Sequence, residues 1–469
     1  MGKLNDITFQ KTNGGLGRNA GSDDVISGLL MCLPELVNTD LIAAANTRQF
    51  EEVDVAEPGG STSHKLYMAK LRYKEELADF GFQYKNLSLS KTEHTDGSEA
   101  TEFKKDAAVN TLVYHVTKFF DMNENGVLYL CVKVVDAGHV RGEDLKALQV
   151  FANGEIRQCG VFTPSLTAGA GNNTVDLLEE YQTALASNPD TDPDCLEAVH
   201  TPMSCVVAAG NMVTVTLPSG ADNLLLGAPS SSSDLTKTKL ASSNSGDKFA
   251  VAGRCNVSLL VGCDLDATLV KNLGQYAYYG CIGACLGALS KASVHESIAW
   301  VGKFKLGLKA PGLVSGELIK EVSTSDKEKI HGNRYLFVIT HAGDADNYFN
   351  DSHTLDVDSS DYAYIENVRT IDKACRGIRS KLLPWLNSPL KVDPNTGHLD
   401  SGVVSFLETT AGEALTEMEN AGELSGYKVE IDPDQNVIAN SEVEIIIKKV
   451  PVGVMRKVHV KIGFASSLS

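Results

Sequence analysis

Two aspartates, Asp264 and Asp266, follow an apolar run in the string LLVGCDLDATLV at residues 259–270. A carboxylate at the end of a buried strand can act as the nucleophile of covalent catalysis. The same side chain can instead accept hydrogen bonds from the first N–H groups of a following helix. The sequence leaves both roles open and favours the capping role.

The string resembles the first motif of haloacid-dehalogenase-type phosphatases. That resemblance implies that Asp264 is the nucleophile and that Asp266 is the acid/base. It also implies that Thr340, at the end of a later apolar run, supplies the hydroxyl of the second motif. A phosphatase that uses Asp264 is therefore the enzymatic hypothesis for this chain.

The fourth motif of that phosphatase family is only half present. Gly343-Asp344 matches its start, but the companion aspartate should follow at positions that hold Tyr348 and Phe349. A magnesium ion in such a site needs more than one or two carboxylates in suitable geometry. The sequence therefore predicts no metal site and no cofactor, and it favours a protein that is not an enzyme.

Three further motifs are incomplete. The glycine pattern of residues 15–20 matches a dinucleotide fingerprint but follows a polar strand instead of a buried one, so we expect a hinge. His295-Glu296 lacks the second histidine of a zinc protease. The acid-rich loop 343–361 lacks the spacing of a calcium loop and predicts a solvated turn.

Composition excludes several classes of protein. The chain has 469 residues, enough for roughly two to four domains, and its 43% hydrophobic and 22% charged residues are typical of folded proteins. The net charge of -18 argues against a general binder of nucleic acid or anionic membranes. The start lacks the apolar core of a signal peptide and the cysteines form no Cys-x-x-Cys pair, so we expect reduced thiols in a cytoplasmic compartment.

Short apolar runs that alternate with helix-length segments predict an α/β protein with a covered, largely parallel sheet. The runs are residues 127–135, 157–163, 204–210, 258–263, 297–304 and 334–340. The uncharged stretch 272–290 contains Gln, Tyr and Gly residues, which favours a buried helix over a membrane span. Upstream, local spacing predicts helices over 22–36 and 66–82, a strand over 111–120 and a possible inserted domain at about 50–125.

The last third has the clearest pattern. Apolar residues spaced by three or four predict a helix from 365 to 382, capped by Asp361, and Arg369, Lys373 and Arg376 form a basic stripe along it. A second helix over 403–421 is acidic at its polar positions. Strand-like runs follow at 426–432, 441–450 and 455–464.

Both ends of the chain are strand-like and have no obvious partner. Ile7 and Phe9 alternate with polar residues near the start. Near the end, the apolar residues that alternate with basic ones and a histidine are Val458, Val460, Ile462 and Phe464. Because a lone strand is unstable in water, each end must pair with the edge of a sheet. That edge belongs either to the same chain or to a neighbouring copy, and the sequence leaves both possibilities open.

The opening segment and the C-terminal third resemble phage contractile tail sheath proteins, in particular a sheath-like group of Bacteroides-type phages and prophages. The strings that carry the resemblance are LNDITFQKTNGGLGRNAGSDDVISGLL, NRYLFVITHAGDADNYFNDSHTL, SSDYAYIENVRTIDKACRGIR and GELSGYKVEIDPDQNVIANSEVEIIIKKVPVGVMRKVHVKIGF. The resemblance covers both ends and residues 331–469, and it is vague between about 50 and 250.

This resemblance implies a structural subunit that polymerises helically, with six-fold symmetry, around a tail tube and contracts to drive the tube through the host envelope. Strand exchange between subunits would use Ile7, Phe9, Val458, Val460, Ile462 and Phe464. The linker hinges would be Gly14, Gly15, Pro451 and Gly453. The tube-facing residues would be Arg369, Lys373 and Arg376, with the acidic second helix as the competitor.

The resemblance also implies partners and a domain order. The partners would be further copies of the chain, the tail tube protein, and the baseplate and tail terminator proteins, without direct binding of nucleic acid or insertion into a membrane. The order would be an N-terminal arm (1–20), outer and middle domains (21–330), an inner domain (331–452) and a C-terminal arm (453–469). Assembly would take place in the host cytoplasm and yield a virion tail, or a tailocin or related injection device built in the same way.

Overall fold

The computed structural model describes residues 23–43, 45–56, 63–85, 97–134, 142–163, 204–209, 257–265, 279–313, 316–354 and 356–464. Its largest element is a seven-stranded mixed sheet. The strands are β1 (Ile26–Cys32), β2 (Glu51–Ala56), β3 (Ser63–Leu71), β4 (Val127–Lys133), β5 (Gln158–Thr163), β6 (Ser204–Ala209) and β7 (Val257–Leu260). The predicted α/β class is confirmed.

Strand β1 lies at the middle of the sheet, whose order is β2-β3-β4-β1-β5-β6-β7. It pairs in parallel with β4 and β5, and β6 and β7 continue the parallel part. Strands β2 and β3 are antiparallel and form one edge. At the other edge a parallel bridge joins Leu260 to Leu336. The sheet therefore reaches from the start of the described chain to the beginning of the C-terminal third.

Both faces of the sheet are covered, as a parallel sheet requires. The helices are α1 (Asn38–Leu41), α2 (Glu76–Asp79), α3 (Gly97–Met122), α4 (Gly142–Phe151), α5 (Ile282–Lys291), α6 (Thr324–Gly332), α7 (Ile365–Leu382), α8 (Ser401–Asn420) and α9 (Val437–Asn440). Along β1, Leu29 joins a core shared with α3 and α5, whereas Leu30 joins a second core shared with α4. None of the helices in the described part of the chain is both long and apolar enough to span a membrane.

The backbones of helices α3 and α5 lie unusually close together at two glycines of α5. A Cβ atom on Gly283 would lie 2.2 Å from the carbonyl oxygen of His115, and one on Gly287 would lie 2.6 Å from that of Phe119. The two backbones approach this closely only because neither position on α5 carries a side chain. Residues 282–290 are all buried, so this part of the uncharged stretch forms the buried helix that the sequence predicts.

Smaller sheets follow the main one. An antiparallel sheet contains β8 (Gly262–Asp264), β9 (Tyr279–Gly280) and β10 (Pro311–Leu313). A short hairpin of β11 (Val338–Thr340) and β12 (Asn347–Phe349) comes next. The last hairpin consists of β13 (Leu424–Glu430) and β14 (Ile446–Pro451), and it packs on α7 and α8 through a core that includes Ala374, Leu415, Met418 and Leu424.

Several local predictions are wrong. Residues 297–304, expected as a strand of the sheet, form turns and loop. Residues 26–32, expected within a helix, form the central strand β1, and residues 63–71 form β3 where helical spacing begins at 66. Residues 111–120, expected as a strand, lie inside helix α3. In each case packing against the rest of the chain overrides the local pattern. Strands β2 and β3, from the region expected to be a possible insertion, are part of the main sheet.

Candidate functional site

The carboxylate of Asp264, the candidate nucleophile, is buried and is hydrogen-bonded within the chain. It accepts hydrogen bonds from the hydroxyl of Tyr114 (2.9 Å) and from the backbone N–H groups of Lys309 (3.2 Å) and Ala310 (2.8 Å). Burial and the neighbouring Asp264 charge raise the pKa of Tyr114 far above its ordinary value, so this hydroxyl stays protonated and donates. Asp264 thus joins the sheet of β8 to the loop before β10 instead of facing a substrate.

The other parts of the phosphatase motif do not complete a site. Asp266 lies outside the described residues. Thr340 is exposed at the end of β11, and Asp344 accepts hydrogen bonds from the Asp346 N–H (3.0 Å) and the Tyr348 hydroxyl (2.8 Å) within its own turn. Among the described residues, Asp264 belongs to no group of three potential metal ligands. Nothing in this part of the chain supports the phosphatase hypothesis.

The basic stripe of α7 faces the chain itself. Arg369 is 4% exposed and donates to the backbone oxygen of Ala292 (3.3 Å). Lys373 forms ion pairs with Asp24 (2.8 Å) and Glu423 (2.7 Å), and Arg376 forms one with Asp24 (3.2 Å). The prediction that this stripe is an outward, tube-facing surface is therefore wrong, because Arg369 is buried and because Lys373 and Arg376 pair with carboxylates of the same chain. Instead, Lys373 and Arg376 hold Asp24, which lies just before strand β1.

The hairpin of β13 and β14 is a two-stranded sheet with open edges. The two strands pair with each other from Gly426 opposite Val450 to Glu430 opposite Ile446, and no third strand joins them among the described residues. One face packs on the helices through Tyr427 and its neighbours. On the other face Ile446 and Val450 are about half exposed. The outer edges therefore offer unpaired backbone N–H and C=O groups.

The chain continues from β14 as an exposed segment, residues 452–464, which we call the C-terminal segment. It has no secondary-structure partner among the described residues. Its apolar side chains are largely exposed: Val458 64%, Val460 79%, Ile462 95% and Phe464 111%. The expected strand over 455–464 is thus present as a sequence pattern without a ladder among the described residues, and the apolar side chains of residues 458–464 stay exposed.

Arg456 fastens this segment to the body of the protein. Its guanidinium donates to Asp351 (3.0 Å) and to Glu366, and it lies 3.5 Å from the ring centroid of Tyr364. Burial would lower the pKa of Arg456, but the charges of Glu366 and Asp351 raise it above the ordinary value. We call Arg456, Asp351, Tyr364 and Glu366 the Arg456 site.

The carboxylates of the Arg456 site are deeply placed. Glu366, in the first turn of α7, is 3% exposed and Asp351, after β12, is 6% exposed. Burial raises the pKa of Glu366 despite the opposing charge of Arg456. A buried carboxylate without a cationic partner is costly, so Arg456 is the partner that the fold requires at this place. The acid-rich loop 343–361 is therefore not simply a solvated turn, since it contributes Asp351 to this ion pair.

Two histidines lie beside Asp351. Nε2 of His353 is 3.4 Å from Nδ1 of His331 and 3.7 Å from Oδ2 of Asp351. Burial lowers the pKa of His353 to about 4, although the Asp351 charge acts in the opposite direction. The imidazole of His353 is accordingly neutral near pH 7.

Only the C-terminal members of the predicted arms and hinges lie within the described residues. Pro451 ends β14, and Gly453 has open space around its Cα, so both lie where the C-terminal segment leaves the hairpin. Gly14, Gly15, Ile7 and Phe9 lie outside the described residues. The Arg456 site was missed by sequence reasoning, because its ion pairs join positions 90 and 105 residues apart. The one available signal was an arginine at the start of an otherwise alternating strand pattern.

Comparisons with known proteins agree with this architecture. The family model described as "DUF2586, C-terminal domain" matches residues 361–469. A chain from the anti-feeding prophage (AFP) baseplate is similar in fold, with 13% identity, a TM-score of 0.50, and coverage of 99% of this chain and 100% of that chain. A chain from the PVC sheath complex, an extracellular contractile injection system in its contracted state, has 11% identity, a TM-score of 0.50, and coverage of 100% and 99%.

No curated protein sequence matches the chain significantly. The two structural likenesses span the full length of both partners in each comparison. At this level of identity they show the fold alone. The expected resemblance to contractile tail proteins is confirmed at that level, because the chain has the fold found in these injection systems.

Proposed function

We propose that this chain is a structural subunit of a contractile tail sheath, linked to neighbouring copies by exchanged strands. The proposal rests on two features that occur in the same chain. One is the hairpin of β13 and β14, whose outer edges are open, and the other is the exposed C-terminal segment with alternating apolar residues that follows it. One chain thus offers both an acceptor edge and a donor strand. The fold shared with chains of contractile injection systems supports the same role.

The hairpin has a physical reason to accept further strands. A two-stranded sheet is marginally stable by itself, and its open edges are sites for strand addition. Residues 457–464 can lie along such an edge with Val458, Val460, Ile462 and Phe464 on one side of the strand and Lys457, His459 and Lys461 on the other. Each main-chain hydrogen bond formed in this way contributes about 1 kcal/mol net. Several bonds per subunit, repeated along a polymer, would keep the lattice connected.

The donor strand is free to reach a neighbour because only its base is held. Arg456 ties the chain to Asp351 and Glu366, whereas every apolar side chain beyond it is exposed. Strand addition to another copy would bury these side chains, which is favourable by about 25 cal/mol per Å² of apolar surface. The N-terminal arm, with Ile7 and Phe9 and the hinge Gly14-Gly15, is proposed to pair in the same sheet.

The tube-facing surface is proposed to lie on helix α8. Its exposed acidic residues are Glu413, Glu417 and Glu419. Glu413 and Glu417 share one cation of this chain, Lys381, in exposed ion pairs, so the surface keeps a net negative charge. The exposed rings of Trp385 and Phe406 pack edge to face at 4.6 Å beside this helix. An acidic surface with an aromatic patch suits a basic partner, and we assign it to the tube. Further partners would be the baseplate and terminator proteins at the two ends of a particle tail that is assembled in the host cytoplasm.

Deletion of residues 458–469 tests strand exchange, because it removes the donor strand and leaves Arg456 in place. We expect the full chain to form tubes or rings in negative-stain electron micrographs, and the shortened chain to be a folded monomer. A matched pair of variants separates the two faces of the strand. Replacing Val460 and Ile462 by Ser should abolish the polymer, whereas replacing His459 and Lys461 by Ser should preserve it.

Two outcomes would contradict the proposal. A full chain that stays monomeric at every concentration and salt condition would argue against a sheath. A deleted chain that still forms tubes would show that residues 458–469 are not the links between subunits. Closed rings without tubes would instead favour a baseplate component, the role named for one of the similar structures.

A further inference from the structure

Asp351 of the Arg456 site and two neighbouring histidines form a group of potential metal ligands, which we call the ligand set. His331, Asp351 and His353 each present one ligand atom, and these atoms lie within 4.8 Å of one another. His331 is at the end of α6, and the other two follow β12. The set therefore joins two separate elements of the fold.

The distances suit a tetrahedral ion. Ligand atoms about 2.0–2.2 Å from a zinc ion lie roughly 3.3–3.6 Å apart in a tetrahedron. Nε2 of His353 is 3.4 Å from Nδ1 of His331 and 3.7 Å from Oδ2 of Asp351. The third pair, His331 and Asp351, lies within 4.8 Å, so the side chains must approach one another by up to about 1 Å to bring all three atoms onto one ion.

Nδ1 of His331 is a hydrogen-bond acceptor for a neighbouring amide. The amide oxygen of Asn350 accepts from the Phe337 N–H (2.8 Å), which leaves the amide nitrogen of Asn350 to donate to Nδ1 of His331 (3.2 Å). This nitrogen is therefore unprotonated, as a metal ligand must be. A metal ion would replace one long hydrogen bond.

The other two ligands are fixed in orientation. The ring of His353 stacks on Tyr364, with the centroids 5.5 Å apart. Asp351 divides its two oxygens: Oδ1 accepts from Arg456 (3.0 Å) and from the Ser352 N–H (2.8 Å), and Oδ2 faces His353. The same carboxylate thus serves the C-terminal segment and the ligand set.

We propose that His331, Asp351 and His353 bind a divalent transition-metal ion, Zn²⁺ in the first instance, with the fourth position open to water. Two imidazoles and one carboxylate are a donor set that zinc accepts in proteins. His331 is partly exposed, which gives the ion a path from solvent. The ion would tie α6 to the segment after β12 and, through Asp351, to the base of the C-terminal segment.

Zinc titration of the full-length chain, after removal of metal with a chelator, tests this site by calorimetry. We expect one zinc ion per chain in the wild type and an affinity at least about tenfold lower in His331→Ala. His341→Ala is the matched control, because His341 is an exposed histidine outside the set and its loss should leave the affinity unchanged. With Co²⁺ in place of Zn²⁺, the wild type should show the visible absorption of a tetrahedral cobalt site, and His331→Ala should not.

Arg456→Ala tests the shared carboxylate. Removing this cation next to Asp351 should raise the zinc affinity several-fold, since the carboxylate then interacts with the metal alone. An unchanged affinity in this variant would overturn the coupling to the C-terminal segment. Absence of stoichiometric zinc binding by the wild type, or equal binding by His331→Ala, would overturn the site itself. Neither result depends on whether the chain forms a sheath.

Discussion

Replacing Arg456 by alanine should destabilise the C-terminal third of the protein, because two buried carboxylates lose their cationic partner. Asp351 and Glu366 are 6% and 3% exposed, and Arg456 donates to both. Removing one member of a buried ion pair typically costs about 3–5 kcal/mol. Since about a quarter of the Arg456 side chain is exposed, we expect a loss near the lower end, about 3 kcal/mol.

The loss is measurable by thermal unfolding. For a region of this size, a change of 1 kcal/mol shifts Tm by about 2–4 °C, so Arg456→Ala should lower Tm by about 6–12 °C. Lys457→Ala is the control, because Lys457 is exposed and its replacement should change stability by less than about 0.5 kcal/mol. Arg456→Lys should fall between the two, since lysine keeps the charge but not the planar fork over Tyr364.

The deficit of Arg456→Ala should also depend on pH. Burial already raises the pKa of Glu366, and loss of the Arg456 charge raises it further. A carboxyl whose pKa is higher in the folded state than in the unfolded state loses stability as the pH rises through that range. The difference in Tm between the wild type and Arg456→Ala should therefore increase as the pH rises from about 4 to 7. A Tm within 1 °C of the wild type at pH 7 would refute the assignment of Arg456 as the partner of these carboxylates.

Three further predictions concern the rest of the chain. Burial raises the pKa of Asp372 to about 6, so wild-type stability should fall as the pH rises from about 4 to 6. In thermal unfolding, Asp372→Asn should gain about 3 kcal/mol at pH 7 but nothing at pH 4. Gly283→Ala would place a Cβ 2.2 Å from a backbone oxygen of α3 and should cost about 2–3 kcal/mol in urea unfolding, whereas Gly332→Ala has open space and should be near neutral. Asp264→Ala should cost about 2 kcal/mol by leaving buried N–H groups unpaired. Neither it nor the wild type should release phosphate in the presence of magnesium, and release by the wild type alone would restore the enzymatic hypothesis.

The parts of the fold that could be predicted are those with a strong local pattern. The apolar runs at 127–135 and 157–163 are strands of a covered sheet, and the two long C-terminal helices begin and end within a few residues of the predicted bounds. Residues 26–32 were harder, because a strand buried on both faces has no alternation and a short apolar run fits a helix equally well. Only the pairing of β1 with β4 and β5 distinguishes the two.

The candidate site could be predicted only in part. The alternation of the C-terminal segment predicts a strand that needs a partner, since alternation is a local property. The segment is exposed, and its pairing stays a prediction. The destination of each charge is not local. Arg369, Lys373 and Arg376 form an amphipathic stripe whether they face solvent or Asp24, and the spacing along α7 is the same in both cases. Asp351 likewise lies in an acid-rich loop and yet is buried against Arg456.

Helix α7 binds two distant parts of the described chain, the base of the C-terminal segment and Asp24. Near its start Glu366 binds Arg456, and seven residues later Lys373 binds Asp24, a separation of about 10 Å along the axis at 1.5 Å per residue. If neighbouring copies bind the chain at both contacts, a force applied at one contact is transmitted to the other along helix α7, whose hydrogen bonds run nearly parallel to the helix axis. Each subunit would then transmit a displacement between these two contacts as a stiff link and would not absorb it by stretching.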